Sequence, residues 1–168
     1  MIVNNFISNT SLAGLKLGYQ REFKPNMTLG ITGTWNSFDE YVSKTTYQKP
    51  DGTGAITTDI VKQVYSVPLA LTFNYYMNKG KSFVPYAGLG IGTQYSEQTL
   101  YFNIYSIEDD TWGFLLRPEI GAVYALKGAT SLYFSATYNY ATNNSDFFDN
   151  NSLSHFALSI GCIFGSNL

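Results

Sequence analysis

The sequence predicts an all-β chain, an up-and-down antiparallel barrel of eight strands with the first short or missing. Three observations carry this. A period-two alternation of apolar with small or polar residues returns seven times in 168 residues. Compact turn signals separate the repeats, and no stretch shows helical periodicity. Neighbouring side chains on a strand point to opposite faces, so such alternation marks a sheet with one apolar side.

The elements follow in order. Residues 12–23 run into a turn at Lys24-Pro25-Asn26, and 27–38 run back. A polar stretch with the turn signal Lys49-Pro50-Asp51-Gly52 forms the first long loop. Residues 60–77 descend to Asn78-Lys79-Gly80-Lys81, and 83–102 rise. Glu108-Asp109-Asp110 marks a second loop, 112–126 descend, and Lys127-Gly128-Ala129 turns. Residues 131–142 rise, 143–151 form a third loop, and 153–164 close the chain. With no linker, 1–168 reads as one domain: seven clear strands over 12–164, and a ragged first strand or loop remnant over 1–11. Single-chain barrels of this type use even strand counts. The eighth strand therefore belongs before residue 12, rising to the long-loop side, either supplied in short form by Met1–Ile7 or lost. Met1–Thr10 lacks the basic start and long apolar core of a secretory signal.

One face carries Leu15, Leu17 and Tyr19; Leu29, Ile31 and Trp35; Leu69, Leu71 and Phe73; Leu89, Ile91 and Tyr95; Phe114, Leu116 and Ile120; Phe134 and Tyr138. The other carries mostly Gly, Thr, Ser and Asn, with Lys16, Arg117 and Glu119 as its clustered charges. That is a poor solvated surface and a suitable interior for a narrow barrel. The apolar face is aliphatic at its centre and aromatic at its ends. Tyr19, Phe23, Phe83, Tyr124 and Phe164 ring one end, and Trp35, Tyr95, Trp112, Tyr140 and Phe156 the other. Two aromatic belts about an aliphatic band fit a bilayer. The rival is a soluble, lipocalin-like ligand-binding barrel with the apolar face inside.

Composition narrows the classes further. Aromatics make up 17% and charged residues only 13%, about half the usual share, too few to solvate a whole surface. A mean hydropathy of −0.08 hides membrane strands, because alternation averages out. The net charge of −2 offers no basic stripe for nucleic acid. Cys162 is the one cysteine, so neither an intrachain disulfide nor a cysteine metal cluster is available. The tight turns hold Lys24, Lys79, Lys81 and Lys127 without an acid. The long loops hold Asp39, Glu40, Asp51, Glu108, Asp109, Asp110, Asp146 and Asp149 against Lys44 and Lys49.

The chain resembles small bacterial outer-membrane β-barrels of OmpA/OmpX-like type from residue 12 to 164. The resemblance implies an outer-membrane location, contact with lipid and lipopolysaccharide, and recognition by barrel-assembly machinery. Ser159, Gly161 and Phe164 fit the closing-strand pattern that such machinery reads, although the tail Gly165-Ser166-Asn167-Leu168 lacks the usual terminal aromatic. Members serve as adhesins, evasion factors, anchors and, in a few cases, enzymes.

Lys16, Arg117 and Glu119 are the first candidates for a functional cluster. Their strands lie four apart if a strand precedes residue 12, which places them on opposite walls and predicts pairing across the lumen. They read as a plug, or alternatively as the gate of a small pore. His155, the one histidine, points inward near Ser152, Ser154 and Asp146, but no His-x-Ser spacing or oxyanion hole suggests acyl transfer. Gly88-Leu89-Gly90-Ile91-Gly92 falls inside a strand and is not a phosphate loop. Pro68 and Pro118 sit inside strands, where each should break a ladder bond or form a bulge. The expectation is a non-enzymatic, cofactor-free and metal-free structural or surface-interaction protein, acting through its acidic loops or as a subunit of an envelope complex.

Overall fold

The computed structural model describes residues 2–4, 7, 10–48, 54–102, 105–126, 129–144 and 152–165. The alternation folds them into one antiparallel sheet: β1 (Ile2–Asn4), β2 (Gly14–Lys24), β3 (Met27–Gln48), β4 (Ala55–Tyr76), β5 (Phe83–Phe102), β6 (Tyr105–Ala125), β7 (Thr130–Ala141) and β8 (His155–Phe164). β2 to β8 each pair with their sequence neighbours, and β1 pairs with β8.

The turns follow from local chemistry. Lys24 pairs with Met27, leaving Pro25-Asn26 as a two-residue connection. Proline presets the first turn dihedral, and Asn26 takes the positive φ of 66° that a type II turn needs next. Asn78 (φ 58°) and Gly80 (φ 89°) play that part between β4 and β5. Lys127-Gly128, Lys49-Pro50-Asp51-Gly52, Asp146 and Asp149 lie outside the described residues.

Outward positions are apolar and exposed: Leu17 is 67% accessible, Ile120 65% and Ile160 80%. Inward ones are polar and buried, among them Gln94, Ser96, Ser135, Asn139 and His155. A side chain of leucine size gives up about 1.5–3 kcal/mol when left in water. A surface of Leu, Ile and Phe this dense needs lipid, which overturns the lipocalin-like alternative. The cross-strand row Tyr19–Ile31–Leu71–Ile91–Leu116–Tyr140 starts in the turn-side belt and ends in the opposite one. A row perpendicular to the strands that climbs from belt to belt is the stagger of tilted barrel strands.

Three features differ from the sequence expectation or refine it. Glu108-Asp109-Asp110 is strand, paired with Thr99, Gln98 and Glu97, and the β5–β6 connection falls at 103–104. Residues 39–48 and 55–59 are also strand, paired up to Gln48↔Ala55. The acidic stretches were read as loops because Asp and Glu are poor strand formers inside a sheet. Above a bilayer both sheet faces meet water, and the alternation persists there with charges on it. The first strand is three residues, with Ile2 opposite Ala157 and Asn4 opposite His155. No described residue pairs with the outer edge of β2 or with that of β8 along Ser159–Phe164, so the hydrogen-bonded circuit stays open there.

The strand prolines interrupt the ladder without shifting register. Pairing of β3 with β4 skips from Gly33↔Leu69 to Asn36↔Ser66 around Pro68. Pairing of β6 with β7 skips from Leu116↔Tyr140 to Glu119↔Thr137 around Pro118. Each is the lost ladder bond expected from a residue without an N–H.

Glycines on the inner face make room for rings. A methyl added at Gly121 would lie 2.7 Å from the Tyr86 ring and 2.5 Å from the Phe134 carbonyl, whereas one at Gly54 meets open space. Gly121→Ala is therefore expected to destabilise by about 1–3 kcal/mol through overpacking, with Gly54→Ala neutral. Thermal unfolding in detergent, followed by circular dichroism, checks the contrast.

Candidate functional site: the lumen network

The inner faces stack into layers. Near the tight turns, Tyr76, Val84, Tyr86 and Val123 pack together with Tyr133 and Ile163. Near the opposite rim, Ile7, Phe38, Val64 and Ala157 form an apolar cap. The charges sit between these caps.

Lys16 from β2 crosses to Glu119 on β6, its Nζ 2.7 Å from Oε1 and 2.8 Å from Oε2. β2 and β6 are four strands apart in the sheet. The Tyr86 hydroxyl donates to Glu119 Oε1 at 2.6 Å, and Thr137 Oγ1 donates to Oε2 at 3.3 Å. Arg117 Nη2 stands 3.6 Å from Oε2, while its Nη1 donates to Thr34 Oγ1 at 2.9 Å. Thr34 and Arg117 lie in the ladder gaps beside Pro68 and Pro118. Lys16 also reaches Ser135 Oγ at 3.4 Å and lies 5.4 Å over the Tyr133 ring. Gly161 leaves the space for that ring, since a methyl there would come within 2.6 Å of it. One carboxylate thus serves two cations and two hydroxyls, with side-chain exposures of 14% for Lys16, 10% for Glu119 and 2% for Arg117.

A second layer holds His155. Asn36 Nδ2 donates to its Nε2 at 3.1 Å and Asn139 Nδ2 at 2.8 Å. Phe38 meets the ring edge-on at 5.5 Å. With two carboxamides donating to Nε2, that nitrogen is occupied as an acceptor, not paired with a serine hydroxyl as a nucleophile–base pair requires. Above it, Asn143 Nδ2 donates to the Gln94 carbonyl, the Thr111 carbonyl and Ser96 Oγ at 2.8–2.9 Å. Gln94 Nε2 donates to the Leu153 carbonyl at 3.1 Å. Asn143 and Leu153 flank the third loop, and sequence reading missed their inward turn. The available signal was that both sit directly beside strand ends already facing the lumen.

The other singled-out residues lie on the outer face. Tyr19, Trp35, Trp112, Tyr124, Tyr140, Phe156 and Phe164 are exposed, and Tyr95 is half-buried against Trp112 at 5.2 Å. Cys162 is exposed on the same face. Ser159 and Gly161 point inward on β8, alternating with Ile160, Cys162 and Phe164 outward. Among the described residues no group of three or more His, Cys, Asp or Glu is arranged to hold a metal.

An apolar exterior with aromatic belts and a polar, side-chain-filled lumen define a small transmembrane β-barrel. The chain belongs to the outer membrane protein beta-barrel domain family, which matches residues 4–164. No curated protein matches the chain.

Removing one member of the network strands the others. Glu119→Ala is expected to destabilise by about 3–5 kcal/mol, because Lys16 and Arg117 stay buried without a counter-charge. Replacing the set with apolar residues (Lys16→Met, Arg117→Met, Glu119→Leu) is expected to return part of that loss. Urea unfolding in detergent micelles measures both.

Proposed function

We propose that this chain is a non-enzymatic, non-conducting outer-membrane barrel that displays a strand-built surface for contact with lipopolysaccharide or another envelope protein. The observation that carries the reading is the asymmetry of strand length. β3, β4, β5 and β6 run 22, 22, 20 and 21 residues, whereas β2, β7 and β8 run 11, 12 and 10. A tilted crossing takes about 9–11 residues. Roughly half of each long strand therefore projects past the bilayer as one continuous four-stranded sheet.

Of the acids expected in loops, Asp39, Glu40, Glu108, Asp109 and Asp110 sit on this sheet instead. Ser37, Tyr65, Glu97 and Asp110 form one outward cross-strand row, and Asp39, Gln63 and Glu108 lie on the next, around a buried Thr99. Their side chains are fixed in register, and the surface they form is a patterned face. The filled lumen supports a non-conducting role, since an eight-stranded interior has room for its side chains and little else. Two carboxamides on His155 Nε2 favour a structural imidazole over a catalytic base. On this reading, assembly machinery recognises β8 through Ser159, Gly161 and Phe164.

Orientation is the test. In a Cys162→Ser background, Thr46→Cys on the projecting sheet is expected to react with a membrane-impermeant maleimide on intact cells. Lys81→Cys at a tight turn is expected to react only after the outer membrane is opened. The reverse pattern would place the long strands inside and overturn the proposal, and stable conductance steps in planar bilayers would replace it with a pore.

A further inference from the structure

The projecting sheet carries a notch that the lumen network does not explain. β4 pairs with β3 up to Gln48↔Ala55 but meets β5 only from Ile60↔Phe102 onward. The β3–β4 hairpin therefore overhangs the β5–β6 hairpin, and Ala55–Asp59 form a step above it. A cavity of about 500 Å³ occupies the step, lined by Tyr41, Lys44, Thr57, Asp59, Phe102 and Tyr105 among others. Small-molecule sites span about 300–1,000 Å³ and combine aromatic walls with a few polar groups.

The lining is built from several independent features. The register of β3 against β4 shifts between Val42 and Thr45, so Ser43 and Lys44 form a bulge that re-aims the strand beside the notch. Tyr41 donates its hydroxyl to Asp59 Oδ2 at 3.3 Å. Thr46 and Thr57 hydroxyls meet at 2.8 Å across the hairpin. Phe102 and Tyr105 lie 5.8 Å apart with ring planes 31° apart, and Tyr105 is 62% exposed, as is Tyr41. Large aromatic rings held in the open at a notch are costly in water and useful only when something stacks on them.

The geometry points to a saccharide as the occupant. A single ammonium and a single carboxylate flank the cavity, which disfavours a ligand of either net charge. Together with the threonine hydroxyls they supply both donors and acceptors, as a ring of hydroxyl groups requires. The Phe102 and Tyr105 rings supply the apolar wall that the C–H face of a pyranose packs against. Height agrees with this. Tyr41 lies six residues beyond Trp35 of the aromatic belt, about 20 Å along the strand and roughly 15 Å in height at the tilt of barrel strands. At that distance from the hydrocarbon the outer leaflet is carbohydrate. The inference rests on the outward orientation proposed above and adds the ligand class of that surface.

The test is saturation-transfer NMR on the full chain, folded in detergent, with two probes: core oligosaccharide freed from lipopolysaccharide by mild acid, and a lactose-series oligosaccharide. Transfer to pyranose ring protons is expected, weakened about tenfold or more by Tyr105→Ala and by Lys44→Ala, with Lys81→Ala at a tight turn as a control outside the notch. A stronger response from the core probe assigns the site to the cell's own leaflet, and from the lactose series to an encountered surface. No transfer from either probe to a properly folded protein overturns the inference, as does transfer that both notch variants leave unchanged. A peptide that binds at the Ala55–Asp59 edge in place of sugar would also overturn it. Failure here with Thr46→Cys labelled on intact cells refutes the saccharide alone, whereas an unlabelled Thr46→Cys refutes the orientation and the inference together.

Discussion

Hydrocarbon offers no hydrogen bonds, so every backbone N–H and C=O that crosses a bilayer must be paired inside the protein. The rest of the structure depends on that constraint. It selects a curled antiparallel sheet, turns its apolar faces outward, and forces the polar residues into a narrow interior where they must satisfy one another. It also explains why β1, although three residues long, seats on β8: any pairing along that boundary removes bare backbone from lipid. The remaining open edge between β2 and β8 is where the same demand is strongest.

The lumen solves a related problem. Lys16, Glu119 and Arg117 are desolvated between two apolar caps, and each would be expensive alone. Glu119 accepts from Lys16, Tyr86 and Thr137 and neighbours Arg117, so one carboxylate ties β2, β5, β6 and β7 together. Lys16 belongs to β2, whose outer edge pairs with no described residue, and its bond to the far wall ties that strand into the curl. Small residues make the geometry possible, because Gly121 and Gly161 leave space for the Tyr86 and Tyr133 rings that flank the charges.

Much of this was legible in the sequence, for a physical reason. Strand period, face and lipid exposure are local properties, and alternation at Leu15-Leu17-Tyr19 or Phe156-Leu158-Ile160 reports them directly. Opposite-wall placement of Lys16 and Glu119 followed from strand count alone. Strand ends did not follow, because Asp39, Glu40 and Glu108–Asp110 leave the bilayer while remaining paired, and charge reads as loop wherever burial is the guide. Asn143 and Leu153 were missed because they lie past the strand ends, although they keep the inward parity of Ala141 and His155. Thr34 shares the small, polar inner face in the sequence, but its bond to Arg117 depends on the register of strands far apart in the chain.

The two tryptophans, Trp35 and Trp112, sit in the loop-side belt on the outward face, which makes them reporters of the central claim. Fluorescence of the protein reconstituted in vesicles of brominated lipid tests it most directly. The account predicts strong quenching by bromines near the carbonyl end of the acyl chains, weak quenching by bromines near the methyl end, and little by aqueous acrylamide. Efficient acrylamide quenching with no response to brominated lipid at any depth would place this face in water and contradict the account.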